Sequence, residues 1–198
     1  MHRESVALQR ALIDEWEVAV SLDSLGNAEW RRGTDQRAMV LLEESLALFR
    51  KLAFKRGIAV ALLSVGTVAL SGGHYKRAKE SFEESLALRR ELGDRRGVAS
   101  VLDKLGDLAQ SLDRHELAAK AFGAADAIRE SIGALLAPSG RADRERSLAA
   151  VRVALGEAAF AAAWAAGRAM TLEQAAEYAL TQMDIGPLTS QRGERGLT

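Results

Sequence analysis

The sequence predicts an all-α protein, a right-handed α-solenoid of helix pairs closed by a C-terminal helical cap. Three observations predict it. A forty-residue pattern recurs in three copies. Apolar residues within each copy fall at three- and four-residue steps, the spacing that gathers side chains on one face of a helix. The 198 residues hold only two prolines, so long helices run without the residue that breaks them. Hydrophobic residues make up 48% of the chain and aromatics only 5%. Alanine supplies much of the apolar count; it has the best helix propensity and lets helices approach closely.

Residues 1–16 read as a partial repeat, a second helix only. Glu4-Ser5-Val6-Ala7-Leu8 restates Glu44-Ser45-Leu46-Ala47-Leu48 and Glu84-Ser85-Leu86-Ala87-Leu88. A repeat unit buries its faces against its neighbours, so a unit without its first helix leaves an edge uncovered. The expectation is a piece of a larger protein, or an edge covered by a partner.

Residues 17–133 form three full repeats. Gly26, Gly66 and Gly106 fall in register, as do Ala38, Ala78 and Ala118, then Leu42, Phe82 and Phe122. First helices are predicted near 17–31, 57–71 and 97–111, second helices near 35–52, 75–92 and 115–132. Gly33-Thr34, Gly72-Gly73 and Leu112-Asp113 mark the turns within pairs; glycine tolerates the left-handed conformation that ends a helix, and Asp113 is a candidate cap for the next one. Gly57 and Gly97 follow charged runs and are expected in exposed connections between units.

Leu25-Gly26 followed by Ala38, with Ala78-x3-Phe82 and Ala118-x3-Phe122, resembles the tetratricopeptide signature. Gly73-His74-Tyr75 is similar to the turn that opens its second helix. The resemblance covers roughly residues 4–133 and implies tetratricopeptide-like helix pairs whose glycine and alanine lie where backbones approach, with the Phe between neighbouring units. Departures are the period of forty, the missing terminal proline, and Glu29, Ala69 and Ala109 where an aromatic is usual. The longer repeat resembles that of bacterial signalling ATPases and regulators.

Residues 134–183 lose the period and form the cap. Pro138-Ser139-Gly140 reads as a break, followed by a charged helix near 141–155, an Ala-rich helix near 156–166 and a short helix opened by a Thr171/Gln174 capping box. Gly156-Glu157-Ala158-Ala159-Phe160-Ala161-Ala162-Ala163-Trp164 and Gly167-Arg168-Ala169-Met170-Thr171-Leu172-Glu173-Gln174-Ala175 resemble the closing segment of large bacterial LuxR-type and adenylate-cyclase-type ATPase regulators. That resemblance implies a sensor region following an ATPase module. Residues 184–198 read as a flexible tail, in which Gly186 to Arg192 faintly resembles the opening of a LuxR-type DNA-binding domain.

The chain offers no constellation for catalysis. It lacks cysteine, its three histidines are not at ligand spacing, and no Gly-rich loop carries a P-loop's Lys-Ser/Thr. The reading is therefore not an enzyme, with no cofactor and no metal. Charges balance at 27 basic and 27 acidic residues, against the footprint of a nucleic-acid binder, and basic runs such as Arg50-Lys51, Lys55-Arg56, Arg89-Arg90 and Arg95-Arg96 alternate with acids. No apolar stretch reaches membrane-spanning length, and a cytoplasmic location is expected.

What remains is binding. In stacked helix pairs the first helices line the concave side. The register puts Val20, Asp23, Asn27, Trp30 and Arg31 there from the first unit, Val60, Leu63, Thr67, Leu70 and Ser71 from the second, and Ser100, Asp103, Asp107, Gln110 and Ser111 from the third. The candidate groove residues are Asp23, Asn27, Trp30, Leu63, Thr67, Leu70, Asp103, Asp107 and Gln110. An apolar middle with acidic flanks suits a protein or peptide carrying an apolar centre and basic residues. Asp23, Leu63 and Asp103 stand where a carboxylate clamp would need lysine, so no such clamp is expected. The alternative is a regulatory domain that binds a small-molecule inducer.

Overall fold

The computed structural model describes residues 2–135 and 138–182. Nine helices account for them: α1 (His2–Arg31), α2 (Asp35–Lys51), α3 (Lys55–Ser71), α4 (Tyr75–Glu91), α5 (Arg95–Ser111), α6 (His115–Ser131), α7 (Pro138–Leu155), α8 (Glu157–Arg168) and α9 (Leu172–Gln182). Helices α1 with α2, α3 with α4 and α5 with α6 make the three pairs, and α2 on α3 and α4 on α5 join the pairs in sequence order. This is the α-solenoid the periodicity predicts.

The turns keep a stricter beat than the repeat itself. Gly33, Ala53, Gly73, Gly93, Asp113 and Gly133 all have positive φ, at intervals of twenty residues. At each, the next residue's N–H reaches back across the helix end: Thr34 to Glu29, Phe54 to Phe49, His74 to Ala69, Asp94 to Arg89, Arg114 to Ala109 and Ala134 to Arg129, at 2.8–3.1 Å. That bond satisfies a carbonyl the ending helix leaves open. Asp113 is thus the left-handed turn residue and not the predicted cap, because its φ of 57° takes the place glycine holds elsewhere. Arg114 precedes α6.

The pairs interlock at the expected seam. A Cβ on Gly26 would fall 2.7 Å from Leu42 and 3.2 Å from the Ala38 carbonyl, and one on Gly106 would fall 2.6 Å from Phe122; at Gly66 it would collide with Phe82. Each aromatic or leucine therefore fills the glycine notch of its own unit, not a gap between units as the resemblance implies. Ser45 and Ser85 donate to the carbonyls of Ala19 and Ala59, both at 2.7 Å, tying second helices to first.

Three expectations need correction. Residues 1–16 are not a separate second helix, since α1 runs unbroken to Arg31. The next beat of the turn series falls on Ile13, a β-branched residue for which positive φ is strongly disfavoured. Gly57 and Gly97 lie buried in the first turns of α3 and α5, not in exposed connections: added Cβ atoms would strike Phe49 and Arg89. The break after α6 stands, but the helix that follows begins at Pro138 and not near 141, as proline suits a first helical turn.

The cap closes the far end. Helix α7 lies beside α5 and α6, α8 packs along α6, and α9 rests on both α5 and α6. The α6–α8 seam brings backbones together, for Cβ atoms on Gly123 or Gly167 would collide with the backbone at Trp164 or Lys120. The Thr171/Gln174 capping box forms, with Gln174 N–H donating to Thr171 Oγ1 at 3.2 Å and Thr171 N–H to Gln174 Oε1 at 2.9 Å. The predicted tail and its Gly186–Arg192 resemblance lie outside the described residues.

Candidate binding groove

One stripe of each first helix follows three- and four-residue steps: Trp16, Val20, Asp23, Asn27 and Trp30 on α1, Arg56, Val60, Leu63, Thr67 and Leu70 on α3, and Arg96, Ser100, Asp103, Asp107 and Gln110 on α5. The candidate residues thus share a surface, but their environments differ.

In the first unit Asn27 is the organiser. Its Nδ2 donates to the Asp23 carbonyl at 2.8 Å, to Asp23 Oδ2 at 3.1 Å and to Ser64 Oγ on α3 at 3.0 Å. Burial pushes the Asp23 carboxyl above the usual carboxylate range, against hydrogen bonds from Ser64 and Asn27. Its Oδ1 is buried without a hydrogen-bond partner. Trp30 is half-buried; its ring packs against the α1–α3 core and its Nε1 donates to Ser71 Oγ at 3.1 Å. Ser71 in turn donates to the Val68 carbonyl at 2.9 Å or Asp35 Oδ2 at 3.1 Å.

The second unit offers less than its sequence implies. Thr67 is buried and donates to the Leu63 carbonyl at 2.7 Å. Leu63 and Leu70 are half-buried against the main core. Exposed apolar surface on this side comes instead from Trp16, Val20 and Val60, at 42%, 38% and 39% exposure. Trp16 was not among the sequence candidates. The signal that marks it is its place one turn before Val20, in register with Arg56 and Arg96.

The third unit is occupied from within. Asp103 pairs with Arg129 and accepts from Arg144 Nε of α7 at 3.0 Å. Arg144 also reaches Asp126 at 2.7 Å and the Phe122 carbonyl at 3.0 Å, and lies over the rings of Phe122 and Trp164. Asp107 takes Lys104 at 2.8 Å and Ser147 Oγ at 2.8 Å. Each aspartate thus receives one contact from α7, Asp103 from Arg144 and Asp107 from Ser147. Asp103→Lys would strand Arg129 and Arg144, since removing one partner of a buried ion pair leaves an uncompensated charge. Gln110 is half-buried at the end of this stretch.

Half of the residues in the basic runs meet acids of another helix or turn. Arg50 pairs with Glu84 at 2.8 Å, Lys51 with Glu15 at 2.5 Å, Arg89 with Asp94 at 2.8 Å, and Lys55 with Glu91. Lys51–Glu15 and Lys55–Glu91 tie helices within a pair, and Arg50–Glu84 and Arg89–Asp94 tie one unit to the next. His74 is exposed before α4, and His115 stands 3.9 Å from Asp113. No group of three metal-ligating side chains gathers among the described residues, and no described helix is long and apolar enough to cross a membrane.

A second concavity of about 470 Å³ lies on the cap side, between the α4–α5 turn, the end of α6 and the α8–α9 connection. Val98, Ile128, Met170 and Leu172 give it an apolar floor, with Arg90 and Arg95 at its edge.

Residues 57–131 match a tetratricopeptide-repeat family model, and residues 18–53 match a second tetratricopeptide-repeat model. No curated protein matches the chain. Repeats of this kind are generally protein-interaction modules.

Proposed function

We propose, for a chain that carries tetratricopeptide repeats over residues 18–53 and 57–131, that it binds a polypeptide segment along the concave side of its first two units. The observation that supports this most is the exposed Trp16–Val20–Val60 surface beside a third unit already filled by α7. Large apolar side chains on a polar rim are what binding hot spots are made of.

The charge of the ligand follows from what is left. With Asp103 and Asp107 engaged by the cap, the exposed charges of the stripe are Arg31, Arg56 and Arg96. The segment bound has an apolar centre flanked by acidic residues, the reverse of the basic flanks expected when the aspartates are counted as open. We place the module in a larger cytoplasmic regulator of transcription or signalling of the bacterial LuxR or adenylate-cyclase type, on the resemblance of residues 156–175.

Selection of displayed random peptides on the full chain, followed by calorimetry of a selected peptide, tests the groove. Trp16→Ala and Val60→Glu each weaken binding by about tenfold or more, the scale of a hot-spot loss, with helical circular dichroism unchanged. Affinity that survives both substitutions removes the assignment. The small-molecule reading has its own support in the 470 Å³ cleft edged by Arg90 and Arg95. A metabolite that raises the melting temperature, and loses that effect in Arg95→Ala, favours it.

A further inference from the structure

The second unit answers its cations with acids, and the third does not. Arg50, near the end of α2, pairs with Glu84 of α4 at 2.8 Å, and Lys55, opening α3, pairs with Glu91 at the end of α4. Forty residues on, the cations recur as Arg90 and Arg95, but the acids do not: Ala124 stands in place of Glu84 and Ser131 in place of Glu91. Both arginines are exposed. Arg95 Nη2 donates to Ser131 Oγ at 3.1 Å, and among the described residues no carboxylate lies within ion-pair reach of either guanidinium. The two stand where the cleft of about 470 Å³ opens. Helix α6 lends it Ala127, Ile128 and Ser131, and the α8–α9 connection lends Met170, Thr171 and Leu172. Val98 and Ile128 are buried, and Met170 and Leu172 are half-buried against the main core. Arg89, the third arginine of the lining, is buried and tied to Asp94 at 2.8 Å. Arg90 and Arg95 therefore face a single acid of the lining, Glu173, which pairs with neither.

We infer that this cleft binds a small organic acid, its carboxylate held by Arg90 and Arg95 and its aliphatic or aromatic body laid on Val98, Ile128, Met170 and Leu172. The inference rests on the small-molecule reading of the cleft and names the chemistry of the ligand. Three features carry it. The first is the register: carboxylates hold these cations in the second unit, so a carboxylate completes the third. The second is the fit of the groups, since a guanidinium takes a carboxylate through two parallel hydrogen bonds. The third is the cleft itself. Mostly apolar walls, a few placed polar groups and a volume of some hundreds of Å³ mark a small-molecule site. A bare anion would leave the apolar surface of Met170 and Leu172 in water, and an apolar body on the acid covers it.

Thermal melts of the full chain with octanoate or phenylbutyrate, each set against its primary amide, test it. Both acids raise the melting temperature with dose, and the amides, alike in size but uncharged, do not. Calorimetry with the tighter acid then locates the site. Arg90→Gln weakens binding by about fivefold, the upper end for one exposed ion pair. Ser131→Glu gives Arg95 the acid that Lys55 already has, and it abolishes binding because the chain then supplies its own carboxylate. Both positions are exposed, so helical circular dichroism is unchanged in either variant. An acid that binds both variants as tightly as the parent overturns the site. Amides that stabilise as well as the acids overturn the carboxylate and leave the small-molecule reading standing. A chain that responds to neither acid overturns the inference, and the reading beneath it falls only if the wider metabolite screen is blank as well.

Discussion

Asp23 and Asp103 occupy the same register and are held by opposite means. Asp103 sits between two guanidiniums, while Asp23 has only Asn27 and Ser64 and keeps one oxygen unpartnered. Burial raises the Asp23 carboxyl's pKa in the folded chain, so the fold binds a proton that the unfolded chain has already lost. The penalty is absent at acid pH, grows as pH rises from the ordinary carboxylate range through the raised folded value, and stays constant above it. Asp23→Asn keeps an acceptor for Asn27 and removes the charge. Its melting temperature should exceed the parent's at neutral pH, with the difference shrinking as pH falls into the carboxylate range; a constant difference across pH counts against the desolvated carboxyl. The positions of both aspartates were legible in the sequence, because register alone places them on one face. Their partners were not, because Arg144 reaches Asp103 from a helix beyond the last recognisable repeat. A trace was there to read: Leu148-Ala149 stands forty residues after Leu108-Ala109, and Ser147 forty after its acceptor Asp107.

Among the elements, α8 depends on the tightest fit. Its Gly167 faces the Lys120 backbone and Gly123 of α6 faces the Trp164 backbone, so the two helices meet where neither has a side chain. The Arg168–Glu130 pair, at 2.6 Å and 2.8 Å, marks the rim of the seam. Gly167→Val forces backbones apart and should cost about 1–3 kcal/mol, the usual penalty for overpacking. The measurement is the urea midpoint, and the loss should be larger than that of Gly140→Val, where an added Cβ meets nothing. Helix boundaries came readily from the sequence, since amphipathic steps and turn residues both repeat. The way α8 lies along α6 did not, because a glycine in an alanine-rich helix carries no sign of which neighbour it meets.

At the scale of the whole chain, packing is uneven. One core runs continuously from Ala69 and Ala78 through α5 and α6 into Phe160 and Ala179 of the cap, while a smaller one joins α1, α2 and part of α3. Stability in stacked repeats is a sum of unit and nearest-neighbour terms, so the end with less coverage opens first. Amides of α2 should exchange with deuterium faster than those of α6, as read by mass spectrometry of proteolytic fragments; equal rates would mean that the array unfolds as one body. The sequence told the order of stacking and the existence of a cap. It did not tell that α7 reaches Asp103 and Asp107 of the third unit, because that depends on how α7 returns over α5.

The evenly spaced left-handed residues also restrict how such a chain can change in length. Each turn reverses direction, so adding or losing one twenty-residue segment would exchange inner helices for outer ones from that point onward and turn the apolar stripes toward water. Only gains or losses of a complete pair preserve every downstream face. The molecule can therefore be lengthened in its middle by whole units without disturbing either terminus, and a deletion half that size would invert everything beyond it.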